Sequence, residues 1–291
     1  MKNKILMSLL VICLIGTGCS TSNEPTKNAN GLNGFIYYSN GGSVYRMQLS
    51  DQTTKELFSN ARYPEITAKG EILCVERSPN TRLIYSDAAG ANRKSLLESE
   101  GYTGPEWKEY MCNPRISYNQ KYVVYHGDSV YNPNTYVIDA VTGELIAIIG
   151  DYQGSSQPMI NPTWAPDGSI YVQGWTSMNN GIYKVAADFS VVERIDPNLT
   201  NVYEPSVSPD GTKIVFIRDE KLWTMNIDGS NPTLLNTTAT KLHMPVWSPD
   251  SKYIAVASYG HIHIIDPIAL TDTEITKPHY VDTDNQLSWV K

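Results

Sequence analysis

The sequence predicts an all-β fold: a six-bladed β-propeller in which the C-terminal strand joins the N-terminal blade and closes the ring. Three observations predict it. A proline-led motif recurs five times along the 291 residues. Its prolines stand at positions 64, 114, 162, 205 and 245, so successive copies are 50, 48, 43 and 40 residues apart, which is the length of a propeller blade. The segments left over at the two ends together supply one more blade.

The motif reads proline, any residue, a large apolar residue, a small residue, and then Pro-Asp-Gly. Its clearest copies begin at Pro162, Pro205 and Pro245, and weaker copies begin at Pro64 and Pro114. The Pro-Asp-Gly step suits a tight hairpin turn. Proline presets φ, aspartate accepts hydrogen bonds from nearby backbone, and glycine takes the left-handed conformation that closes the turn.

The same order of elements follows each motif. An apolar run such as 213–217 comes first, then a second run such as 222–225, an Asp-Gly turn at Asp228, and a short last strand at 233–235. The runs do not alternate strictly between apolar and polar residues, which indicates a sheet covered on both faces. A propeller blade with a neighbour on each side has that environment.

The two ends of the chain complement each other. Residues 35–38, 44–47 and 55–58 supply three strands with no proline-led strand before them, whereas 287–290 resembles a proline-led strand with nothing after it. Leu287 follows Pro245 by 42 residues, which is in phase with the repeat. We therefore expect these four strands to form the sixth blade, because ring closure removes the free sheet edges.

The first residues predict export. Lys2 and Lys4 precede an apolar run of about eleven residues, 5–15, which is too short to span a bilayer but typical of a signal peptide. The segment 16–19, which ends at Cys19, resembles the lipobox of bacterial lipoproteins. It implies a signal peptide over 1–18, lipid on Cys19, a flexible tether over 19–33 and a propeller over 34–291. The alternative is an ordinary secretory signal with an incidental cysteine.

Taken over residues 34–291, the repeat resembles the WD40-like Pro-Asp repeat of TolB-type propellers. The resemblance implies a non-catalytic protein-interaction propeller at the bacterial cell envelope. Only the tether precedes the propeller here, whereas TolB carries a separate N-terminal α/β domain, so we carry over the propeller and not the Tol complex. The alternative function is a glycan- or small-ligand-binding propeller, including a lyase or a hydrolase.

Composition and motifs narrow the function further. The formal net charge is −7, with no basic patch, which argues against a nucleic-acid partner. The sequence contains neither a Gly-x-Ser-x-Gly elbow nor a His-Glu-x-x-His zinc motif. His261 with His263 is more typical of a surface or packed pair than of half a metal site. We therefore expect no enzyme activity, no metal and no cofactor. Cys74 and Cys112 could form a disulfide or remain two buried thiols.

The expected binding surface is the face opposite the tight turns, where the long connecting loops lie, because binding commonly uses loops on a rigid scaffold. We expect a monomer that binds an unidentified envelope protein there and is anchored by lipid, with the outer membrane favoured because Ser20 is not an Asp retention signal. Aromatic side chains dominate binding energy in such contacts. The candidate binding residues are Trp107, Tyr110, Tyr131, Tyr152, Trp175, Tyr203, Tyr259 and Tyr280.

Overall fold

The computed structural model describes residues 32–77, 81–98, 111–127, 134–152, 155–156, 158–174, 180–196, 198–275, 281–282 and 286–291. These residues form six four-stranded antiparallel sheets and one short two-stranded hairpin. The all-β, six-bladed fold predicted from the sequence is confirmed. The signal peptide, Cys19 and the tether as far as residue 31 lie outside the described residues.

The blades follow one another along the chain. Blade 1 contains β1 (Phe35–Asn40), β2 (Ser43–Gln48), β3 (Thr54–Ser59) and the C-terminal strand β26 (Ser288–Val290). Blade 2 contains β4 (Ala61–Ile66), β5 (Ile72–Glu76), β6 (Arg82–Ser86) and β7 (Lys94–Glu98). Blade 3 contains β8 (Met111–Ile116), β9 (Tyr122–Gly127), β10 (Asn134–Asp139) and β11 (Leu145–Ile149), and the hairpin of β12 (Asp151–Tyr152) and β13 (Ser155–Ser156) follows it.

The second half repeats the same plan. Blade 4 contains β14 (Met159–Trp164), β15 (Ile170–Gly174), β16 (Gly181–Val185) and β17 (Val192–Arg194). Blade 5 contains β18 (Val202–Val207), β19 (Lys213–Arg218), β20 (Lys221–Asn226) and β21 (Thr233–Leu234). Blade 6 contains β22 (Leu242–Trp247), β23 (Ile254–Ser258), β24 (His261–Asp266) and β25 (Thr271–Glu274). The proline-led strand is innermost in blades 2 to 6, and β26 takes that place in blade 1.

The ring closes as the sequence predicted. Strand β26 pairs antiparallel with β1, and Trp289 lies opposite Ile36. Leu287 is 0% exposed and Trp289 is 7% exposed, and both pack with Ile36 in the core between blades 6 and 1. Gly34 lies so close to the closing strand that a Cβ atom on it would be 2.1 Å from the carbonyl oxygen of Val290. The backbone contact at the closure therefore requires glycine.

Hydrophobic cores fill the spaces between neighbouring blades. In the described part of the chain, six clusters of buried apolar side chains lie between successive blades. Cys74 belongs to the cluster between blades 1 and 2, whereas Cys112 belongs to the one between blades 2 and 3. Both are buried thiols and no disulfide joins them, and burial raises the pKa of the Cys74 thiol to about 12. The sequence left open a disulfide or two buried thiols, and the structure contains the two thiols.

The Pro-Asp-Gly turns have the roles expected from their chemistry. Asp210 Oδ1 accepts hydrogen bonds from Ser208 Oγ at 2.6 Å and from the Thr212 amide at 3.0 Å. Although partial burial by itself would raise the pKa of Asp210, these hydrogen bonds lower it. Gly211 has a φ of +71°, and Ser251 has a φ of +60° at the same position of the next copy. These aspartates are thus engaged in shaping turns.

Every proline-led strand also carries a kink that the sequence did not predict. In blades 2 to 6, the residue before the proline has a φ between +49° and +57°, and the pairing with the second strand shifts register there. Proline has no N–H to donate to the ladder, so the strand forms a bulge at this point. The kinked residues are Tyr63, Asn113, Asn161, Glu204 and Met244.

Candidate functional site

The propeller axis contains a cavity at the end where the Pro-Asp-Gly turns lie. We call it the axial funnel; its volume is about 370 Å³ and residues from all six innermost strands line it. The residue two positions after each motif proline belongs to the lining, because the same position in each blade converges on the axis. In blade 1 the equivalent residue is on β26. These residues are Ile66, Ile116, Trp164, Val207, Trp247 and Trp289.

Two of the tryptophans are held by the preceding blade. Trp164 Nε1 donates to the carbonyl oxygen of Arg115 at 3.1 Å, and Trp247 Nε1 donates to that of Ser206 at 3.1 Å. The two side chains are nearly fully buried, so only their edges reach the cavity. Trp289 occupies the same position in blade 1, but its buried Nε1 has no hydrogen-bond partner among the residues described. The funnel therefore has rigid aromatic walls.

One side of the funnel is polar. Arg115 Nη1 donates to Glu65 Oε2 at 2.9 Å and to the Leu287 carbonyl oxygen at 3.2 Å. Gln286 Nε2 donates to the carbonyl oxygens of Pro64 at 3.2 Å and Pro114 at 3.0 Å, and to Glu65 Oε2 at 3.1 Å. This network ties blades 1, 2 and 3 together. Burial raises the pKa of Glu65, although the Arg115 guanidinium opposes that effect.

At the rim of the funnel, Tyr118 is 48% exposed. The neighbouring turn is fixed by Gln120, whose Oε1 accepts a hydrogen bond from the Ala68 amide at 3.0 Å. Tyr118 is thus an accessible aromatic side chain on the β8–β9 turn of blade 3, which a hydrogen bond fixes to blade 2.

The opposite end of the axis is built around the kinked residues. In four blades, the amide of the kinked residue donates a hydrogen bond to a polar side chain of the preceding blade. In three of these, the acceptor occupies the corresponding position on a second strand. The pairs are the Tyr63 amide with Ser39 Oγ at 3.1 Å, the Asn161 amide with His126 Nδ1 at 3.5 Å, and the Glu204 amide with Gln173 Oε1 at 3.1 Å.

Amide side chains extend these contacts into a polar arc. Asn113 Nδ2 donates to Asn161 Oδ1 at 3.0 Å, and Asn161 Nδ2 donates to Gln173 Oε1 at 3.1 Å. Glu204 Oε2 accepts from the Met244 amide at 2.6 Å. Burial lowers the pKa of His126 to about 4, so this imidazole is neutral at pH 7. The arc is therefore a hydrogen-bonded structural network, with its carboxylate and imidazole already engaged.

Most of the binding residues predicted from the sequence fall outside the described part of the chain. This holds for Trp107, Tyr110, Tyr131, Trp175 and Tyr280, and also for the predicted lipidation site Cys19. Tyr152 is described only as backbone in strand β12. Tyr203 is half-buried and packs against the core between blades 5 and 6, whereas Tyr259 is 56% exposed with Lys241 Nζ 5.3 Å from its ring centroid.

Sequence reasoning missed the axial funnel. The available signal was the repeat itself, because a position that recurs in all blades at the inner strand must meet its equivalents at the axis. Tyr118 and Arg115 gave no such signal, since their blade carries a degenerate motif.

Each histidine of the pair in blade 6 lies beside a carboxylate of its own sheet. His263 Nδ1 lies 2.8 Å from Asp272 Oδ1, and His261 Nδ1 lies 3.1 Å from Glu274 Oε1. Asp272 Oδ2 also accepts hydrogen bonds from the amide and hydroxyl of Thr238, both at 2.7 Å. Within the described ranges, no group of three or more His, Cys, Asp or Glu side chains could hold a metal ion. None of the described segments is a helix long and apolar enough to cross a membrane.

Comparison with known proteins identifies the architecture. The model of the TolB beta propeller domain family matches residues 71–261. The crystal structure of TolB from Acinetobacter baumannii superposes with a TM-score of 0.68 at 16% identity, over 88% of this chain and 66% of that one. The structure of a putative TolB from Agrobacterium tumefaciens gives a TM-score of 0.67 at 16% identity, over 86% and 98%.

One curated relative is similar in sequence. The uncharacterized protein Atu1656 of Agrobacterium fabrum is 31% identical over 114 residues, which cover 34% of this chain and 39% of the relative. The match thus spans less than half the length of that protein.

Proposed function

Because the chain belongs to the TolB beta propeller domain family, we propose that it is a non-catalytic protein-binding propeller, held at the bacterial cell envelope by lipid on Cys19. The axial funnel is the single observation that carries the binding role. It combines a volume of about 370 Å³, rigid indole walls and the exposed ring of Tyr118. Binding hot spots are commonly aromatic residues around a well-packed pocket.

The funnel is better suited to a protruding segment of a protein than to chemistry. Its charged groups, Glu65 and Arg115, already neutralise each other at 2.9 Å. A general acid or base must reach the reacting atoms with a suitable pKa. In the described part of the funnel no second carboxylate, histidine or cysteine stands beside that pair. A protein partner would instead bury an apolar side chain between the edges of the tryptophan rings and donate hydrogen bonds to the polar side of the funnel.

The cell-envelope location rests on the N-terminal sequence. The short apolar run and Cys19 support a lipid anchor, and the outer membrane is favoured because Ser20 is not an Asp retention signal. Replacing Cys19 with alanine should move the protein from the membrane fraction into the soluble envelope fraction. Membrane attachment that survives a salt wash in the Cys19→Ala variant would contradict the anchor, whereas the funnel and its binding role would be unaffected.

The test of the binding role compares two surfaces. We expect Tyr118→Ala to weaken capture of the partner from envelope extracts about tenfold or more, because truncating a hot-spot aromatic typically costs about 2 kcal/mol. The matched control is Ile268→Ala, since Ile268 is 89% exposed on a turn of the same face in blade 6. Unchanged capture by Tyr118→Ala, with loss of capture in Ile268→Ala, would contradict the proposed funnel contact.

The long-loop face remains the second proposed contact. The double variant Trp107→Ala with Trp175→Ala tests it, together with circular dichroism to verify the fold. If only this double variant loses the partner, binding lies on the long-loop face. The alternative function, a glycan- or small-ligand-binding propeller, predicts instead that Tyr118→Ala weakens binding of a small molecule while protein capture is unchanged. A glycan array with the wild-type chain and this variant distinguishes the two.

A further inference from the structure

The outermost strand of blade 3 differs from the outermost strands of the other blades. Strand β11 reads Leu-Ile-Ala-Ile-Ile over 145–149 and contains no charged residue. The outer strands β3, β7, β17 and β25 all contain charged side chains, and β21 is only two residues long. Charges and short length are the usual means by which proteins prevent pairing at a free sheet edge. Strand β11 lacks both.

Three of the five apolar side chains of β11 are exposed, whereas Ile149 is buried in the core between blades 3 and 4. Leu145 is 37% exposed, Ile146 is 46% exposed and Ile148 is 55% exposed. The strand is the end member of its sheet, in the order β11-β10-β9-β8, so no described strand pairs with its outer edge. Leu145 and Ile148 lie opposite Ile138 and Tyr136, with Ile146 in a bulge between them. Within the described ranges, the blade therefore presents both unpaired backbone groups and apolar side chains along one edge.

We propose that β11 is a dimerisation edge, at which a second copy of this chain adds its own β11 antiparallel. The strand is nearly palindromic about Ala147. A two-fold axis at Ala147 places Ile146 opposite Ile148 of the second copy and Leu145 opposite Ile149, so every cross-strand pair is apolar. The smallest side chain lies at the axis, where two identical residues meet.

Charge favours a second copy at this edge over pairing elsewhere on the rim. The chain has a formal net charge of −7, which opposes self-association wherever two copies meet, and an uncharged edge adds no close like-charge pair to that repulsion. Strand β11 is an uncharged five-residue edge. Pairing about a two-fold axis also uses the free edge of both copies, so assembly stops at the dimer. A strand pair buries less than the roughly 800 Å² per partner of a standard interface, so the dimer is weak and depends on concentration.

This inference goes beyond the proposed function and differs from the monomer expected from the sequence, which stays a prediction that the following experiment tests. Sedimentation velocity of the full-length Cys19→Ser chain over a concentration series should show a monomer–dimer equilibrium. Ile148→Lys should lower the association constant about tenfold or more, because two like charges meet across the axis region. The matched control is Leu234→Lys on β21, where the leucine is 40% exposed, and it should leave the equilibrium unchanged.

A cysteine at the axis tests the register directly. In the same Cys19→Ser background, Ala147→Cys should give a covalent dimer under mild oxidation, since directly opposite residues of antiparallel strands bring their Cβ atoms within disulfide range. Leu234→Cys should not. A wild-type chain that stays monomeric at every concentration overturns the proposal, as does a dimer that Ile148→Lys leaves intact. Both results are independent of partner capture at the funnel.

Discussion

Ring closure is open to a sharp test at Gly34. This residue has a φ of +95°, and a Cβ atom there would lie 2.1 Å from the Val290 carbonyl oxygen and 3.1 Å from the Lys291 Cα atom. Both contacts are with backbone of the closing segment, so Gly34→Ala must displace β26 from β1. Gly42→Ala is the matched control, because Gly42 has a φ of +81° and nothing lies within 4 Å of its Cβ position.

The structure sets the size of the expected loss in the free energy of unfolding. Forcing alanine into a left-handed conformation costs about 1–2 kcal/mol, and both variants share that cost. Displacing β26 also loosens Leu287 and Trp289, which are 0% and 7% exposed. Complete removal of such side chains costs about 2–5 kcal/mol each, which is the upper limit for a displaced strand. We therefore expect Gly34→Ala to lower the free energy of unfolding by about 2–5 kcal/mol more than Gly42→Ala does.

The assay is thermal and urea unfolding followed by circular dichroism. About 2 °C of Tm per kcal/mol applies to a chain of this size, so the Tm of Gly34→Ala should fall roughly 4–10 °C below that of Gly42→Ala. Deleting residues 287–291 removes the strand altogether and should cause loss of cooperative unfolding or aggregation. Equal Tm values for the two glycine variants, or a deletion variant that melts within a degree or two of wild type, would refute closure by β26.

The remaining predictions concern single groups. The pKa of His126 is lowered from 6.5 to about 4, so its stabilising contribution is present above pH 6.5 and is lost as the pH falls towards 4. Glutamine at this position would accept the hydrogen bond as Gln173 does in the next blade. His126→Gln should therefore reduce the loss of Tm between pH 7 and pH 4. Burial raises the pKa of Asp196 to about 6, so stability is lost as the pH rises from about 4 to 6. Asp196→Asn should therefore flatten the dependence of Tm on pH in that window. An unchanged dependence would contradict this assignment. In urea unfolding, Trp247→Phe should lower the free energy of unfolding by about 1 kcal/mol more than Trp289→Phe does. Of these two indoles, only that of Trp247 has a described hydrogen-bond acceptor. Equal losses would contradict this prediction.

The sequence by itself determined the architecture. A motif spaced at blade length, with proline, aspartate and glycine where a tight turn needs them, specified four strands per unit without any knowledge of contacts. The phase of Leu287 specified that the chain ends would share a blade, which the pairing of β26 with β1 confirms. Both inferences succeeded because they depend on local turn chemistry and on the spacing of the repeat along the sequence.

Only the tertiary structure decided what the axis and the rim present. The Arg115–Glu65 pair joins residues 50 positions apart, and the contact of Gln286 with Pro64 spans 222 positions, so no local pattern could have indicated either. The kink before each motif proline is a register shift between the innermost strand and its neighbour, so it became visible only with the pairing of the two strands. The exposure of β11 likewise depends on which strand is outermost, because an apolar run reads the same in a sequence whether neighbours cover it or leave it free.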